Sequence, residues 1–238
     1  MARYDRIAPL PSPPRDRAMP SWPVLRDLEG RERNADLARR ARLRFLALRP
    51  VRRLVARGIE RVPPDSFQRQ IEAVREELST LPARDPERGR LTRFLHQIGR
   101  RTPLAVAAAT LDMGEALEEA GQLYAAEEYY RTALELAASY GLMPQRVIAH
   151  RLLGRVLRTL GRGSEGVESY RMAVELSRML DDAEQWCRSM DGLAAAYRDQ
   201  GRYDDARRIH GELLEQGRDR GDAVLEATAL AGLCRTEL

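Results

Sequence analysis

A 40-residue period in the second half of the chain constrains the fold more than any single residue does. Three stretches align on a shared glycine, at Gly121, Gly161 and Gly201. They read LEEAGQLYAAEEYYRTAL at 117–134, LRTLGRGSEGVESYRMAV at 157–174 and YRDQGRYDDARRIHGELL at 197–214. An amphipathic helical pattern lies on each side of the glycine, the residue that most easily ends a helix and reverses the chain. Each copy is therefore predicted to be a helix, a tight turn and a second helix.

Small and large residues recur at equivalent positions of the three copies, as close helix packing requires. Small residues that would let the first helix approach its neighbour are Gly114, Gly154 and Ala194, and those in the second helix are Ala126, Gly166 and Ala206. The larger equivalent sets are Leu117, Leu157 and Tyr197; Tyr130, Tyr170 and His210; and Ala133, Ala173 and Leu213. Only 5% of the residues are aromatic, so the core should consist mainly of Leu, Ala and Val. That composition favours helices over strands.

These positions resemble the motif of the tetratricopeptide repeat. The matching residues are Met113-Gly114, Leu117, Gly121, Leu123, Ala126, Tyr130 and Ala133; then Leu153-Gly154, Leu157, Gly161, Gly163, Gly166, Tyr170 and Ala173; then Leu193-Ala194, Tyr197, Gly201, Tyr203, Ala206, His210 and Leu213. The resemblance covers residues 103–238 and, weakly, 64–102. A period of 40 rather than about 34 residues is similar to long-period relatives in kinesin light chains and some bacterial peptide-sensing regulators. The resemblance to this family implies an all-α fold, a right-handed α-solenoid of antiparallel helix hairpins.

The rest of the chain divides by composition into three further segments. Residues 1–23 hold six of the 13 prolines and are predicted to form a disordered or extended leader, and residues 24–63 a basic helical arm. Residues 64–102 should form a degenerate helical hairpin, with Phe67, Ile71, Val74 and Leu78 on one helical face. Residues 103–238 would hold three repeats and a C-terminal helix, with Pro103 and Pro144 placed where helices begin.

The resemblance also implies a groove lined by the first helix of each copy. Its predicted residues are Asp112, Glu115, Glu118 and Glu119; Arg151, Arg155 and Arg158; and Arg188, Asp191, Arg198 and Asp199. Arg151, Arg155 and Arg158 share one helix face, and a row of guanidinium groups can hold carboxylates bidentately. We therefore expect a protein or peptide partner with an acidic segment or a free C-terminus. The alternative is that these charges pair with acidic neighbours in the fold.

The arm is the most basic part of the chain, with eleven Arg and three acidic residues between Arg31 and Arg61. Its first helix should begin at an Asn34 cap, present a stripe of Leu37, Ala41, Phe45 and Leu48, and be interrupted or kinked at Pro50. The arm could bind nucleic acid or an anionic membrane through Arg39, Arg40, Arg42, Arg44, Arg52 and Arg53. The stripe could equally pack against the hairpin that follows. Binding of nucleic acid by the arm would make the chain a nucleic-acid-associated regulator, which is the alternative to a protein-binding adaptor.

No motif in the chain indicates catalysis, a metal or a cofactor, so we expect a non-enzymatic protein. His96, His150 and His210 are scattered, and Cys187 and Cys234 are too isolated for a disulfide framework or a metal site. The chain also lacks a signal-peptide pattern and any long uncharged run. These features, with arginine as the only basic residue type besides histidine, lead us to expect a cytoplasmic, bacterial protein.

A fourth copy begins near Asp222, and residues 222–238 correspond to its first helix. The helix could cap the last hairpin, but its outer face is less polar than a solvated cap should be. A partner, a continuation of the repeat array or self-association through this helix could cover it instead.

Overall fold

A computed structural model describes residues 32–236 of the 238-residue chain, and the predicted leader at 1–23 lies outside this range. Within it the fold contains ten α-helices and no strand, which confirms the predicted all-α class. The helices are α1 (Glu32–Arg57), α2 (Pro64–Ser79), α3 (Pro86–Ile98), α4 (Pro103–Glu119), α5 (Leu123–Ser139), α6 (Met143–Thr159), α7 (Gly163–Met179), α8 (Ala183–Asp199), α9 (Tyr203–Arg220) and α10 (Ala223–Cys234).

The described residues fall into two compact units, which divide between Arg42 and Leu43. In the described part of the first unit, Arg40 Nε donates to Asp36 Oδ2 at 2.7 Å, an i,i+4 pair on the start of α1. The second unit contains the remainder of α1 and the helices α2–α10. The segment boundaries predicted at residues 23, 63 and 102 stay predictions.

Helix α1 differs from its prediction in three respects. It begins by Glu32, so Asn34 lies inside the helix rather than at its cap, and it continues through Pro50 without interruption to Arg57. The buried stripe is Leu43, Ala47, Val51 and Leu54, together with Leu48, whereas Leu37 is exposed. A proline inside a helix costs roughly 3 kcal/mol. Burial of this apolar stripe offsets that cost, because each large aliphatic side chain contributes about 1.5–3 kcal/mol.

The hairpins follow the predicted pattern. Helix α2 buries Phe67, Ile71, Val74 and Leu78, as predicted, and α3 ends at Ile98 with Gly99 as its C-cap. In the repeats, Gly121, Gly161 and Gly201 adopt the left-handed conformation, with φ of 71°, 76° and 73°. At the first of these turns, Gln122 N donates to Leu117 O at 2.8 Å, the six-to-one bond of a Schellman cap.

The left-handed turns recur every 20 residues, which the 40-residue sequence period does not reveal. The set is Arg101, Gly121, Gly141, Gly161, Asp181, Gly201 and Gly221. Both the turn within a hairpin and the turn between hairpins therefore use one geometry. Arg101 and Asp181 are the two members of this set that are not glycine. Asp181 lies one period from both Gly141 and Gly221, and aspartate tolerates this region better than most side chains.

The predicted close approach of helices occurs between a glycine of the first helix and a tyrosine of the second. A Cβ added at Gly114 would lie 2.5 Å from a ring carbon of Tyr130, and one at Gly154 would lie 2.8 Å from Tyr170. Successive first helices also contact one another, α4 with α6, α6 with α8 and α8 with α10. Side chains of neighbouring first helices are consequently brought together.

Helix α1 from Leu43 onward packs against α3 and α5. Arg44 is buried, and its Nε and Nη2 both donate to the buried carboxylate of Glu87, with 3.0 Å between Nη2 and Oε2. Tyr129 of α5 donates its hydroxyl proton to Arg44 O at 2.9 Å, and its ring packs edge-on against Phe94 of α3. The basic segment therefore forms part of the core of the second unit from residue 43 on.

Candidate functional site

The predicted groove residues all lie on the first helices α4, α6 and α8, and they are exposed or half-buried. Helix α4 carries Asp112, Glu115, Glu118 and Glu119; α6 carries Arg151, Arg155 and Arg158; and α8 carries Arg188, Asp191, Arg198 and Asp199. We call this set the first-helix face. Its residues come from helices that contact one another, so the structure brings several of them within hydrogen-bond distance.

The contact between α4 and α6 is an ion pair centred on Arg155. Its Nε donates to Glu118 Oε1 at 2.7 Å and its Nη2 to Glu118 Oε2 at 2.9 Å, while Glu115 lies 3.5 Å away. Tyr130 also donates to Glu118, at 2.7 Å. Burial alone would lower the pKa of Arg155, but the hydrogen bonds and charge of Glu118 outweigh it and raise that pKa. The charge of Arg155 is thus neutralised within the fold.

The contact between α6 and α8 uses the last arginine of the row. Arg158 Nη1 donates to Asp199 Oδ2 at 2.7 Å, and Arg198 lies 3.8 Å from the same carboxylate. Burial opposes the charged form of Arg158, yet its hydrogen bond to Asp199 raises its pKa overall. Arg155 and Arg158 therefore pair with acidic neighbours in the fold, which is the alternative that the sequence left open to binding of a partner's carboxylate.

Arg151 differs from its two neighbours in the row. Its Nε donates to the neutral Gln185 Oε1 at 3.1 Å, and among the described residues it makes no salt bridge. Burial, and then the positive charges of Arg155 and Arg188, lower the pKa of Arg151. Arg188 itself pairs with Glu184 at 2.7 Å on the exposed side of α8. Arg151 is thus a half-buried cation whose charged form is opposed by burial and by two arginines more than it is favoured by the charge of Glu115.

The remaining predicted residues are not drawn into these pairs. Asp112 and Glu119 are exposed on α4, and Asp191 is half-buried on α8. Burial raises the pKa of Asp112 above its ordinary value. None of the three forms an ion pair within residues 32–236.

Gln185 also belongs to this site, although it is not among the residues predicted from the sequence. It lies in the first turn of α8, and the cap Asp182 accepts a hydrogen bond from its backbone N–H at 3.0 Å. A signal was present in the repeat alignment. Contacts between successive first helices join residues about one period apart, as for Glu118 with Arg155 and Arg158 with Asp199.

The predicted anion-binding residues of the arm are largely occupied by contacts within the fold. Arg44 is buried against Glu87, Arg52 pairs with Glu128, and Arg53 donates to Ser66 Oγ at 3.0 Å. The proposal that these three arginines bind nucleic acid or a membrane is wrong for Arg44, because its guanidinium is enclosed by protein. Of the others, Arg40 pairs with Asp36, while Arg39 and Arg42 are exposed. For Arg39 and Arg42 the hypothesis stays a prediction.

The histidines and cysteines form no common site. His150 and His210 are buried and His96 is exposed, and no group of three metal-ligating side chains comes together between residues 32 and 236. Burial, and then the charge of Arg146, lower the pKa of His150 to about 4. No helix within the described range is long and apolar enough to cross a membrane.

Two segments of the chain match models of a known family. Residues 108–140 match one model described as tetratricopeptide repeat, and residues 145–219 match a second model with the same description. The chain carries tetratricopeptide repeats. The matches cover the three copies recognised from their shared glycines, so the resemblance seen in the sequence is confirmed.

Solved structures of tetratricopeptide-like proteins share the fold. One is a kinesin light chain-type protein of Podosopora anserina with nearly identical TPR-like repeats, at 18% identity and a TM-score of 0.50, covering 80% of this chain and 85% of that one. Another is BtubC (BKLC) from P. vanneervenii, at 18% identity and a TM-score of 0.50, covering 83% and 89%. The α-solenoid prediction is thereby confirmed at the level of the fold. No curated protein matches the chain.

Proposed function

We propose that the protein is an adaptor that binds a segment of another protein across the first-helix face, with a carboxylate of that segment held by Arg151. Tetratricopeptide repeats generally serve as scaffolds for protein–protein interaction rather than as catalysts. The observation that carries the more specific proposal is the state of Arg151, a half-buried guanidinium that makes no salt bridge with the described residues and whose charge is opposed by Arg155 and Arg188.

A carboxylate is the ligand that this environment favours. Partial burial makes an uncompensated charge costly, and Arg155 and Arg188 add to that cost. A carboxylate beside Arg151 would offset the cost of its buried charge and the repulsion from Arg155 and Arg188. It could accept two parallel N–H bonds from the planar guanidinium of Arg151. Either an acidic side chain or the C-terminus of a peptide supplies this group.

The rest of the face would position the ligand. Glu118 holds Arg155, and Asp199 holds Arg158, so both arginines are fixed before any partner arrives. A preformed face of this kind binds with little rearrangement. Asp112 and Glu119, exposed on α4, would favour a basic residue at the other end of the same segment.

The test is a selection of random peptides on the full chain, repeated with R151E. Peptides selected by the natural chain should be rich in acidic residues or depend on a free C-terminus, and R151E should lose them. The matched control is R93E, which makes the same charge change at an exposed position of α3 outside the face. R93E should select the same peptides as the natural chain.

Stability measurements separate loss of binding from loss of structure. Because Arg151 faces Arg155 and Arg188, reversing its charge should not lower the melting temperature. If peptides bind R151E and the natural chain equally well, Arg151 does not hold a carboxylate and the proposal fails.

A further inference from the structure

Helix α10 is apolar around its whole circumference, unlike the other first helices. Its sequence is AVLEATALAGLC, with Glu226 as its one charged side chain. Leu225, Ala229 and Gly232 are buried, and α10 contacts both α9 and α8. The opposite side presents Ala223, Ala227, Leu230, Ala231 and Cys234, all exposed, which we call the α10 outer face. A helix without a polar side is ordinarily buried all round.

The repeat shows what covers this face elsewhere in the chain. The position of Leu230 is occupied one, two and three periods earlier by Met190, His150 and Thr110. Those residues are 4%, 3% and 0% exposed, whereas Leu230 is 47% exposed. Likewise Cys234 is exposed where Ala194, Gly154 and Gly114 are buried. In those copies the second helix of the hairpin, antiparallel to the first, packs on this side, as the contacts of Gly114 with Tyr130 and Gly154 with Tyr170 show.

We propose that the α10 outer face binds the same face of a second copy of this chain, with the two α10 helices antiparallel. A two-fold axis perpendicular to α10 places the second helix antiparallel, the direction that the covering helix has in each earlier hairpin. This inference concerns a surface separate from the first-helix face and does not depend on the function proposed for it.

Charge and shape both allow the face to meet itself. It carries no charged side chain, so two copies bring no like charges together, and a charged partner would lose its hydration there. Glu226 is turned toward α9, where its Cγ would lie 2.8 Å from a Cβ added at Gly217. In an antiparallel pair centred between Ala227 and Leu230, each Leu230 lies opposite Ala227, and each Cys234 lies opposite Ala223. Large residues then meet small ones, as ridges meet grooves.

The contact is short, and its strength should be modest. A helix of 12 residues is about 18 Å long, so a pair of them buries less than the roughly 1,200 Å² typical of stable complexes. A monomer–dimer equilibrium that depends on protein concentration is therefore expected, rather than a permanent dimer.

Sedimentation equilibrium of the full chain over a wide concentration range measures this equilibrium. L230D should raise the dissociation constant at least about tenfold, because it places a charge at the centre of an apolar contact. The matched control is L104D, which makes the same change at a leucine that is 52% exposed on α4. L104D should leave the dissociation constant unchanged, and circular dichroism should show both variants folded.

Cross-linking tests the orientation. Under mild oxidation A223C should form a disulfide between its new thiol and Cys234 of a second copy, whereas R218C, on the exposed end of α9, should not. A chain that stays monomeric at every concentration overturns the proposal, and so does a dimer that L230D leaves intact. Rapid cross-linking of the unaltered chain through Cys234 alone overturns the antiparallel arrangement, because the two thiols then lie side by side.

Discussion

Replacing Gly154 with alanine probes the packing rule that builds every hairpin of this fold. The added Cβ would lie 2.8, 2.9 and 3.0 Å from three ring carbons of Tyr170. The ring has little room to move away, because a Cβ at Gly192, on the other side, would lie 2.3 Å from another of its carbons. Tyr170 is 3% exposed and belongs to the core around α8 and α9. The new methyl group must therefore displace a helix or the ring.

Two opposing effects set the magnitude. Carbon atoms in contact normally lie about 3.5–4.0 Å apart, so the methyl group is too close by nearly 1 Å. Overpacking of this kind costs about 1–3 kcal/mol. Alanine in place of glycine inside a helix gains about 0.5–1 kcal/mol. We expect G154A to lower the free energy of unfolding by about 1–2 kcal/mol.

Urea unfolding followed by circular dichroism measures this change, with the slope of the transition as a check that the denatured state is unaltered. The control is G211A in α9, where an added Cβ has no atom within 4 Å, and its stability should rise by about 0.5–1 kcal/mol. The third copy pairs Ala194 with His210 at the equivalent positions, so G154A combined with Y170H should lose less than the sum of the two single changes. If G154A is stabilised as G211A is, the close contact does not limit the packing.

Three further predictions follow from buried and exposed charges. Because burial lowers the pKa of His150 to about 4, the unfolded chain binds more protons than the folded chain between about pH 6.5 and 4, and stability should fall as pH falls through this range. H150L should flatten that part of a pH–stability profile. An unchanged profile would contradict the prediction. Removing Glu87 leaves the charge of Arg44 buried without its partner, so E87A should lower the free energy of unfolding in urea by about 3 kcal/mol. The double variant R44M/E87M should lower it much less. Equal losses would show that an unpaired buried charge is not the cause. If Arg39 and Arg42 bind nucleic acid, the full chain should retard a DNA duplex in a gel, with an affinity that falls steeply with salt and is lost in R39E/R42E; no retardation at low salt would eliminate that hypothesis.

Much of the fold follows from local rules that a sequence expresses directly. Period, apolar spacing and the glycines at Gly121, Gly161 and Gly201 predict the hairpins, because helix ends and left-handed turns depend on a few neighbouring residues. The same rules failed at Pro50, and they do not indicate the left-handed conformation of Asp181. Tertiary burial holds α1 together through the proline, and the spacing of turns imposes a left-handed conformation on an aspartate.

The state of each charged residue was decided only by the tertiary structure. Arg151, Arg155 and Arg158 look alike in the sequence, yet two are neutralised by acidic residues of neighbouring helices and one faces other arginines. Likewise Arg44 lies in a basic segment whose sequence is typical of an exposed surface, and its partner Glu87 lies 43 residues away in the chain. The sequence by itself determined the repeat, since helices and turns form from neighbours along the chain. Pairing of charges and exposure of the α10 outer face depend on which distant elements come together, and that is a property of the packed molecule.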